Sequence, residues 1–177
     1  FYANASEREL RSAPKRVRML DSLDWLVATS QSERLQIILY DSEARFAAPD
    51  TAGSWIERKA GGTVDAALAG AWRSVPGGGA NLEAAVALAN SLEPKPDNLY
   101  IVTDGLPSDA RHGRINNNAG ARNSAFHRSA QLAAAGKQGM HFILFPLTGD
   151  MYAAPRMWEA AERTNGSFFT PAPDWPN

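Results

Sequence analysis

The sequence contains no cysteine, which excludes disulfide bonds, thiolate metal sites and a cysteine nucleophile. It has almost no excess charge, with 18 Lys and Arg against 19 Asp and Glu, so no overall field gathers nucleic acid or anionic lipid. No run approaches the roughly 20 apolar residues that a membrane span needs. These absences favour a soluble domain that meets any charged partner through a local patch, and they leave its compartment open.

Helix and strand patterns alternate along a chain whose length suits one domain, residues 1–177. Amphipathic helices are predicted to begin near Pro14, Thr63, Asn81 and Ser124 and to include "APRMWEAAERTNG". Apolar strands are predicted at residues 35–40 and 99–102 and in "MHFILFPL", with short strands in "ARFAAP" and "SFFTP". The alternation predicts an α/β fold, a doubly wound (Rossmann-like), mostly parallel sheet with helices on both faces.

The stretch "NLYIVTDGLPSDA" places Asp104 directly after a buried strand. In doubly wound sheets, ligands bind beyond the carboxyl ends of the strands, where the strand order reverses. Asp41 and Asp150 also follow strands, and for these two we favour a turn role, because aspartate readily bonds to nearby backbone. Asp104 is the stronger site candidate because of the motifs that surround it.

Together, "LYIVTDGLPS" and the preceding "PGGGANLEAAVALA" resemble the second half of a von Willebrand factor type A (vWA) domain. The stretches "APKRVRMLDSLDWL", "FILFPLTGD" and "GSFFTPAPDWP" resemble a bacterial, largely uncharacterised branch of that family. The resemblance implies a non-catalytic, adhesion-type module that binds a protein partner at the carboxyl edge of the sheet, in a domain that follows a membrane anchor in the cell envelope. The implied partner-binding residues are Asp104, Gly105, Gly79, Ala80 and Asn81.

The resemblance also implies a metal-ion-dependent adhesion site for Mg²⁺ or Mn²⁺. In the family this site combines an Asp-x-Ser-x-Ser loop, a threonine in the glycine-rich loop and the aspartate of the "TDG" turn, and a partner's acidic side chain completes the coordination. Here Asp104 matches the third loop, but Ala80 stands at the threonine position and the sequence has no Asp-x-Ser-x-Ser. One carboxylate plus waters holds Mg²⁺ weakly. We therefore expect a degenerate site with Asp104 as its metal ligand.

The family's first strand lies centrally, between the strands predicted here at residues 35–40 and 99–102. No apolar run precedes the first predicted helix in this sequence. A central gap would leave two rows of backbone groups unpaired, at about 1–3 kcal/mol for each group. We therefore expect an N-terminally incomplete vWA domain, whose first central strand comes from a segment upstream of Phe1 or, as the less favoured source, from another chain.

A second functional class stays open beside the interaction module. The sequence has no G-x-x-x-x-G-K-[ST] phosphate loop and no G-x-S-x-G elbow. A small hydrolase using Asp104 with the nearby His112 is the alternative, because an acid and a base could meet over the strand ends. The segment around Arg111, Arg114 and Arg122 is either a patch for a phosphate group or an acidic surface, or a solvated loop tip.

Overall fold

The computed structural model describes residues 6–110, 114–172 and Trp175. Its helices are α1 (Glu7–Arg11), α2 (Pro14–Thr29), α3 (Gly61–Arg73), α4 (Leu82–Ala89), α5 (Ala119–Ala135) and α6 (Ala153–Arg163). Its strands are β1 (Arg34–Leu35), β2 (Ile38–Tyr40), β3 (Ala44–Phe46), β4 (Ile56–Glu57), β5 (Asn98–Thr103), β6 (Gly139–Leu144) and β7 (Phe168–Phe169). No helix in this described part of the chain combines the length and apolarity needed to cross a membrane.

Local chemistry sets where the helices begin. α2 starts at Pro14, whose fixed φ and missing N–H suit a first helical position. Asn81 caps α4 and Asn118 caps α5, each by accepting a hydrogen bond from the backbone N–H three residues on. The Asn118 cap moves the start of α5 from the predicted residue 124 back to Ala119. Apolar spacing does not reveal that start, because the first turn of α5 contains no large apolar side chain.

The strands form three hydrogen-bonded groups among the described residues. β5, β6 and β7 make a parallel sheet in that order, while β2 pairs with β3 and β1 with β4 in antiparallel ladders. The strand predicted at residues 35–40 is split into β1 and β2, with Gln36 and Ile37 between them. The side-chain amide of Gln36 donates to the carbonyl oxygens of Thr51 (3.0 Å) and Ser54 (2.6 Å).

Helices cover both faces of the strand layer, as the side chains of β2 show. Ile38 and Tyr40 pack against a large core cluster that draws on α4, α5, α6, β5 and β6. Leu39 packs against a second cluster that includes residues of α2 and α3. Alternate residues of a strand point to opposite faces, so α4, α5 and α6 lie on one face and α2 and α3 on the other. The predicted doubly wound α/β fold is confirmed.

β2 and β5 lie in the same layer without pairing. Both pack against the core cluster that contains α4, yet no ladder within the described ranges joins them. A side-chain contact spans them, since the Tyr40 hydroxyl lies beside the Thr103 side chain, and burial raises the pKa of Tyr40. The facing strand edges therefore carry backbone groups with no ladder partner in the described part of the chain. This layout agrees with the expectation that the described residues do not include the first central strand. Which segment or chain supplies that strand stays a prediction.

Candidate functional site

The candidate site lies where β5 and β6 end side by side. Thr103 and Leu144 are paired in register, so the turn that carries Asp104 and the loop after β6 leave the sheet at the same level. The first turn of α2 and the glycine-rich loop, residues 77–81, reach the same place through the contacts described below. We call this region the carboxyl edge.

Asp104 stands half-exposed on the carboxyl edge. Lys15, in the first turn of α2, places its Nζ 3.9 Å from Asp104 Oδ2 and donates to the carbonyl oxygen of Pro146 at 3.2 Å. The Lys15 and Asp104 side chains are 38% and 49% exposed, so water screens the pair and it contributes at most about 1 kcal/mol. The Asp104 carboxylate is therefore accessible to a partner.

Ala80 is joined to the turn after Asp104 by two hydrogen bonds. The Ala80 N–H donates to Ser108 Oγ at 3.2 Å, and the Ala80 carbonyl accepts from the Ser108 N–H at 3.0 Å. The glycine-rich loop and the Asp104 turn are thus neighbours, as the resemblance implied. Gly79, beside Ala80, has a φ of +94°, a conformation that favours glycine, and a Cβ there would lie 3.0 Å from Ile115 Cδ1.

Asn81 holds the glycine-rich loop against β2. Its backbone N–H donates to the Asp41 carbonyl at 2.6 Å, and its side-chain amide donates to the Ser42 carbonyl at 3.2 Å. Burial acts to raise the pKa of the Asp41 carboxyl, but hydrogen bonds from the Glu43 N–H and the Arg45 guanidinium outweigh it and lower the pKa. Asp41 is thus the turn residue that we predicted, and the side chain of Asn81 is engaged within the chain.

A buried ion pair holds the turn that presents Asp104. Asp150 Oδ2 accepts from the Leu106 N–H at 2.8 Å and from Arg122 Nη2 at 2.6 Å, and Arg122 also donates to the Leu106 carbonyl. Only 4% of the Asp150 side chain and 20% of the Arg122 side chain are exposed. A Cβ on Gly105 would lie 2.5 Å from Asp150 Oδ2, so this arrangement requires glycine at that position.

The structure extends the predicted turn role of Asp150. Its N–H does close a turn onto the Leu147 carbonyl at 3.1 Å. Its carboxylate, however, binds groups that lie 28 and 44 residues away in the sequence. A single sequence shows that Asp150 follows a strand, which is a signal for the carboxyl edge, but it does not reveal partners at that separation.

The sequence left two alternatives for the segment around Arg111, Arg114 and Arg122, a patch for a phosphate group or an acidic surface and a solvated loop tip. Arg122 belongs to the buried pair with Asp150. Arg114 is exposed, whereas Arg111 and His112 lie outside the described residues. Both alternatives are therefore wrong for Arg122, and the pairing of Asp104 with His112 stays a hypothesis.

His141 lies away from Asp104. It is in register with Tyr100, three residues before the end of β5, which corresponds to roughly 10 Å along the strand. Its ring stacks on Tyr100 and hydrogen-bonds Ser167 and Asn98 at 3.0 Å each, and burial lowers its pKa. These contacts give His141 a packing role.

The donors around Asp104 do not fit a complete Mg²⁺ or Mn²⁺ site. Residues 6–110 and 114–172 contain no group of three or more metal-binding His, Asp or Glu side chains. Ala80 offers only a methyl group, the Ser108 hydroxyl accepts from the Ala80 N–H, and the Thr103 hydroxyl donates to the Gly105 carbonyl. These ions require several oxygen ligands, and the described residues around the turn contribute one half-exposed carboxylate, that of Asp104, which is paired with Lys15.

Comparison with known structures places this architecture among vWA folds. A solved structure described as von Willebrand factor type A from Catenulispora acidiphila matches 93% of this chain with a TM-score of 0.65 and 13% sequence identity. This chain corresponds to 36% of the length of that solved chain. At this identity the likeness shows the fold alone, and it confirms the predicted vWA type. No family model and no curated protein matches the sequence.

Proposed function

We propose that this chain, with its vWA fold, is a non-catalytic protein-interaction module that holds its partner at the carboxyl edge. The observation that carries the proposal is the presentation of Asp104. Its half-exposed carboxylate stands on a turn that the buried Asp150–Arg122 pair holds in place, at the strand ends where open α/β sheets bind ligands. A recognition group held in one position loses little conformational entropy on binding.

The groups beside Asp104 also favour binding over catalysis. Lys15 forms an ion pair with it, and the neighbouring hydroxyls of Thr103 and Ser108 are bonded to backbone groups of the Gly105 and Ala80 residues. A nucleophilic mechanism needs a hydroxyl or thiol within reach of a base, and the described residues assemble no such pair at Asp104. The hydrolase alternative therefore depends on His112.

A metal-dependent form of the same function would have Asp104 bind Mg²⁺ or Mn²⁺ and an acidic partner side chain complete the coordination. That form requires further oxygen ligands, because Ala80 and the described loops do not provide them. We propose that the described residues alone bind these ions weakly.

Site-specific photo-crosslinking tests the proposed function. A photoreactive residue at Gly78 fits the edge, because a Cβ added there would meet no atom within 4 Å. The same residue at Trp158, 65% exposed on α6, is the control position. In cells, we expect position 78 to give a protein adduct whose yield falls at least tenfold with Asp104→Ala. The yield of any adduct from position 158 should not change with Asp104→Ala.

An adduct from position 78 that survives Asp104→Ala unchanged would contradict the proposal. Hydrolysis of p-nitrophenyl acetate or p-nitrophenyl phosphate by the purified chain, lost in Asp104→Ala and in His112→Ala, would support the hydrolase alternative instead.

A further inference from the structure

The loop between β6 and α6 presents an exposed apolar surface beside the carboxyl edge. Leu147, Met151 and Tyr152 are 46%, 74% and 51% exposed. They are three of the eight large apolar residues exposed in the described chain, yet they fall within six consecutive positions, the 147–152 loop. Clustered exposed apolar groups mark interaction surfaces, and methionine and tyrosine are among the residues enriched there.

The backbone of the 147–152 loop is held while these side chains point outward. The Asp150 N–H bonds to the Leu147 carbonyl at 3.1 Å, and Gly149, with a φ of +93°, supplies the positive φ of this tight turn. The Asp150 carboxylate in the middle of the loop is buried against Arg122 and Leu106. Burying the apolar side chains of this loop against a partner would therefore not require the loop to fold first.

Two contacts tie the 147–152 loop and the adjoining Pro146 to the residues around Asp104. Asp150 binds the N–H of Leu106, two residues beyond Asp104. On the other side, Lys15 donates to the Pro146 carbonyl and lies 3.9 Å from the Asp104 carboxylate. A segment that covers the loop can therefore extend to Asp104.

The charge of this surface indicates what the partner presents to it. A carboxylate accepts hydrogen bonds at about four positions, and Lys15, 3.9 Å away, forms an ion pair with Asp104 at a distance too long for a hydrogen bond. A second cation would find free acceptor positions on Asp104. A partner carboxylate would instead face the like charge of Asp104, with Lys15 already paired to Asp104 and no assembled metal ligand set among the described residues.

We propose that the carboxyl edge binds a protein segment whose apolar side chains cover the 147–152 loop and whose lysine or arginine pairs directly with Asp104, without a bridging metal. This inference rests on the proposed function and specifies its partner. It replaces the acidic partner group of the family pattern with a basic one.

Selection from a random 12-residue peptide display library tests the proposal. The full chain is panned in EDTA and, separately, in Mg²⁺, and the selected peptides are measured by fluorescence anisotropy. We expect both arms to yield peptides that combine apolar residues with lysine or arginine. Asp104→Asn should weaken them at least tenfold and Met151→Ser at least fivefold, whereas Trp158→Ser, the loss of an exposed apolar residue elsewhere, should leave their affinity unchanged.

Three results would overturn the inference. They are acidic peptides that need Mg²⁺, basic peptides indifferent to Met151→Ser, and no enriched peptide in either arm. Acidic, Mg²⁺-dependent peptides that Asp104→Asn also releases would leave the proposed function standing. Peptides that bind but respond to neither Asp104→Asn nor a blocking Ala80→Trp substitution would contradict the proposed function as well.

Discussion

Removing the Asp150 carboxylate should destabilise the fold and loosen the Asp104 turn. Asp150→Ala deletes an acceptor that binds the Leu106 N–H at 2.8 Å and Arg122 at 2.6 Å. It leaves a buried N–H without its acceptor and a guanidinium, only 20% exposed, without its counter-charge. Both losses act in the folded state, so the free energy of unfolding should fall.

The structure sets the size of this effect. Breaking a buried ion pair by removing one partner costs about 3–5 kcal/mol. Arg122 keeps its hydrogen bonds to the Leu106 carbonyl, so we expect the lower end, about 3 kcal/mol. For a chain of this length each kcal/mol shifts the midpoint of thermal unfolding by about 2–4 °C, which gives a decrease of about 6–12 °C.

Differential scanning fluorimetry with a matched control checks this expectation. Glu159→Ala also removes a carboxylate from an arginine pair, but its side chain is 52% exposed, so we expect a change below about 2 °C. The double variant Asp150→Ala with Arg122→Ala should lose less than the sum of the single variants, because the two side chains interact. A midpoint for Asp150→Ala within about 2 °C of wild type would refute the reasoning.

Three further predictions concern the metal, the sheet and pH. By calorimetry, the chain should bind Mg²⁺ no more tightly than about millimolar. A variant with Ala80→Thr and an upstream Asp-x-Ser-x-Ser loop should bind Mg²⁺ more tightly, and Asp104→Ala should remove that gain. Micromolar binding by the unmodified chain would contradict this. Extending the chain upstream with an apolar strand should slow amide exchange in β2 and β5 more than in β6. Equal slowing in all three strands would contradict this. Burial lowers the pKa of His141 in the folded protein, so the unfolded protein binds more protons at this residue. The free energy of unfolding is therefore fully present above the unfolded pKa of about 6.5 and declines as pH falls through the folded pKa. His141→Gln should flatten that decline in urea midpoints, and an unchanged slope would contradict it.

Much of the fold was predictable because its strands and helices carry strong patterns. The run at residues 99–102 and the spacing from Pro14 identify β5 and α2 within a residue or two of their observed bounds. The proximity of Ala80 to the Asp104 turn followed from the family resemblance, and two hydrogen bonds with Ser108 now account for it.

The groups that support Asp104 could not be predicted in the same way. Asp150 and Arg122 meet across 28 residues, and Lys15 reaches Asp104 from the start of α2. Such contacts depend on how the loops pack after the sheet has formed, which neither spacing nor local preference records. The exposure of Met151 was also hidden, since its apolar side chain suits a core equally well.

The most direct test of the carboxyl edge as the binding site is the affinity of the crosslinked partner for defined variants. Isothermal titration of that partner would compare wild type with Asp104→Ala, and with Glu159→Ala as the loss of another exposed carboxylate. We predict at least a tenfold loss for Asp104→Ala, about 1.4 kcal/mol, with an unchanged unfolding midpoint and no loss for Glu159→Ala. Equal affinities for all three proteins would place the partner elsewhere and contradict the account.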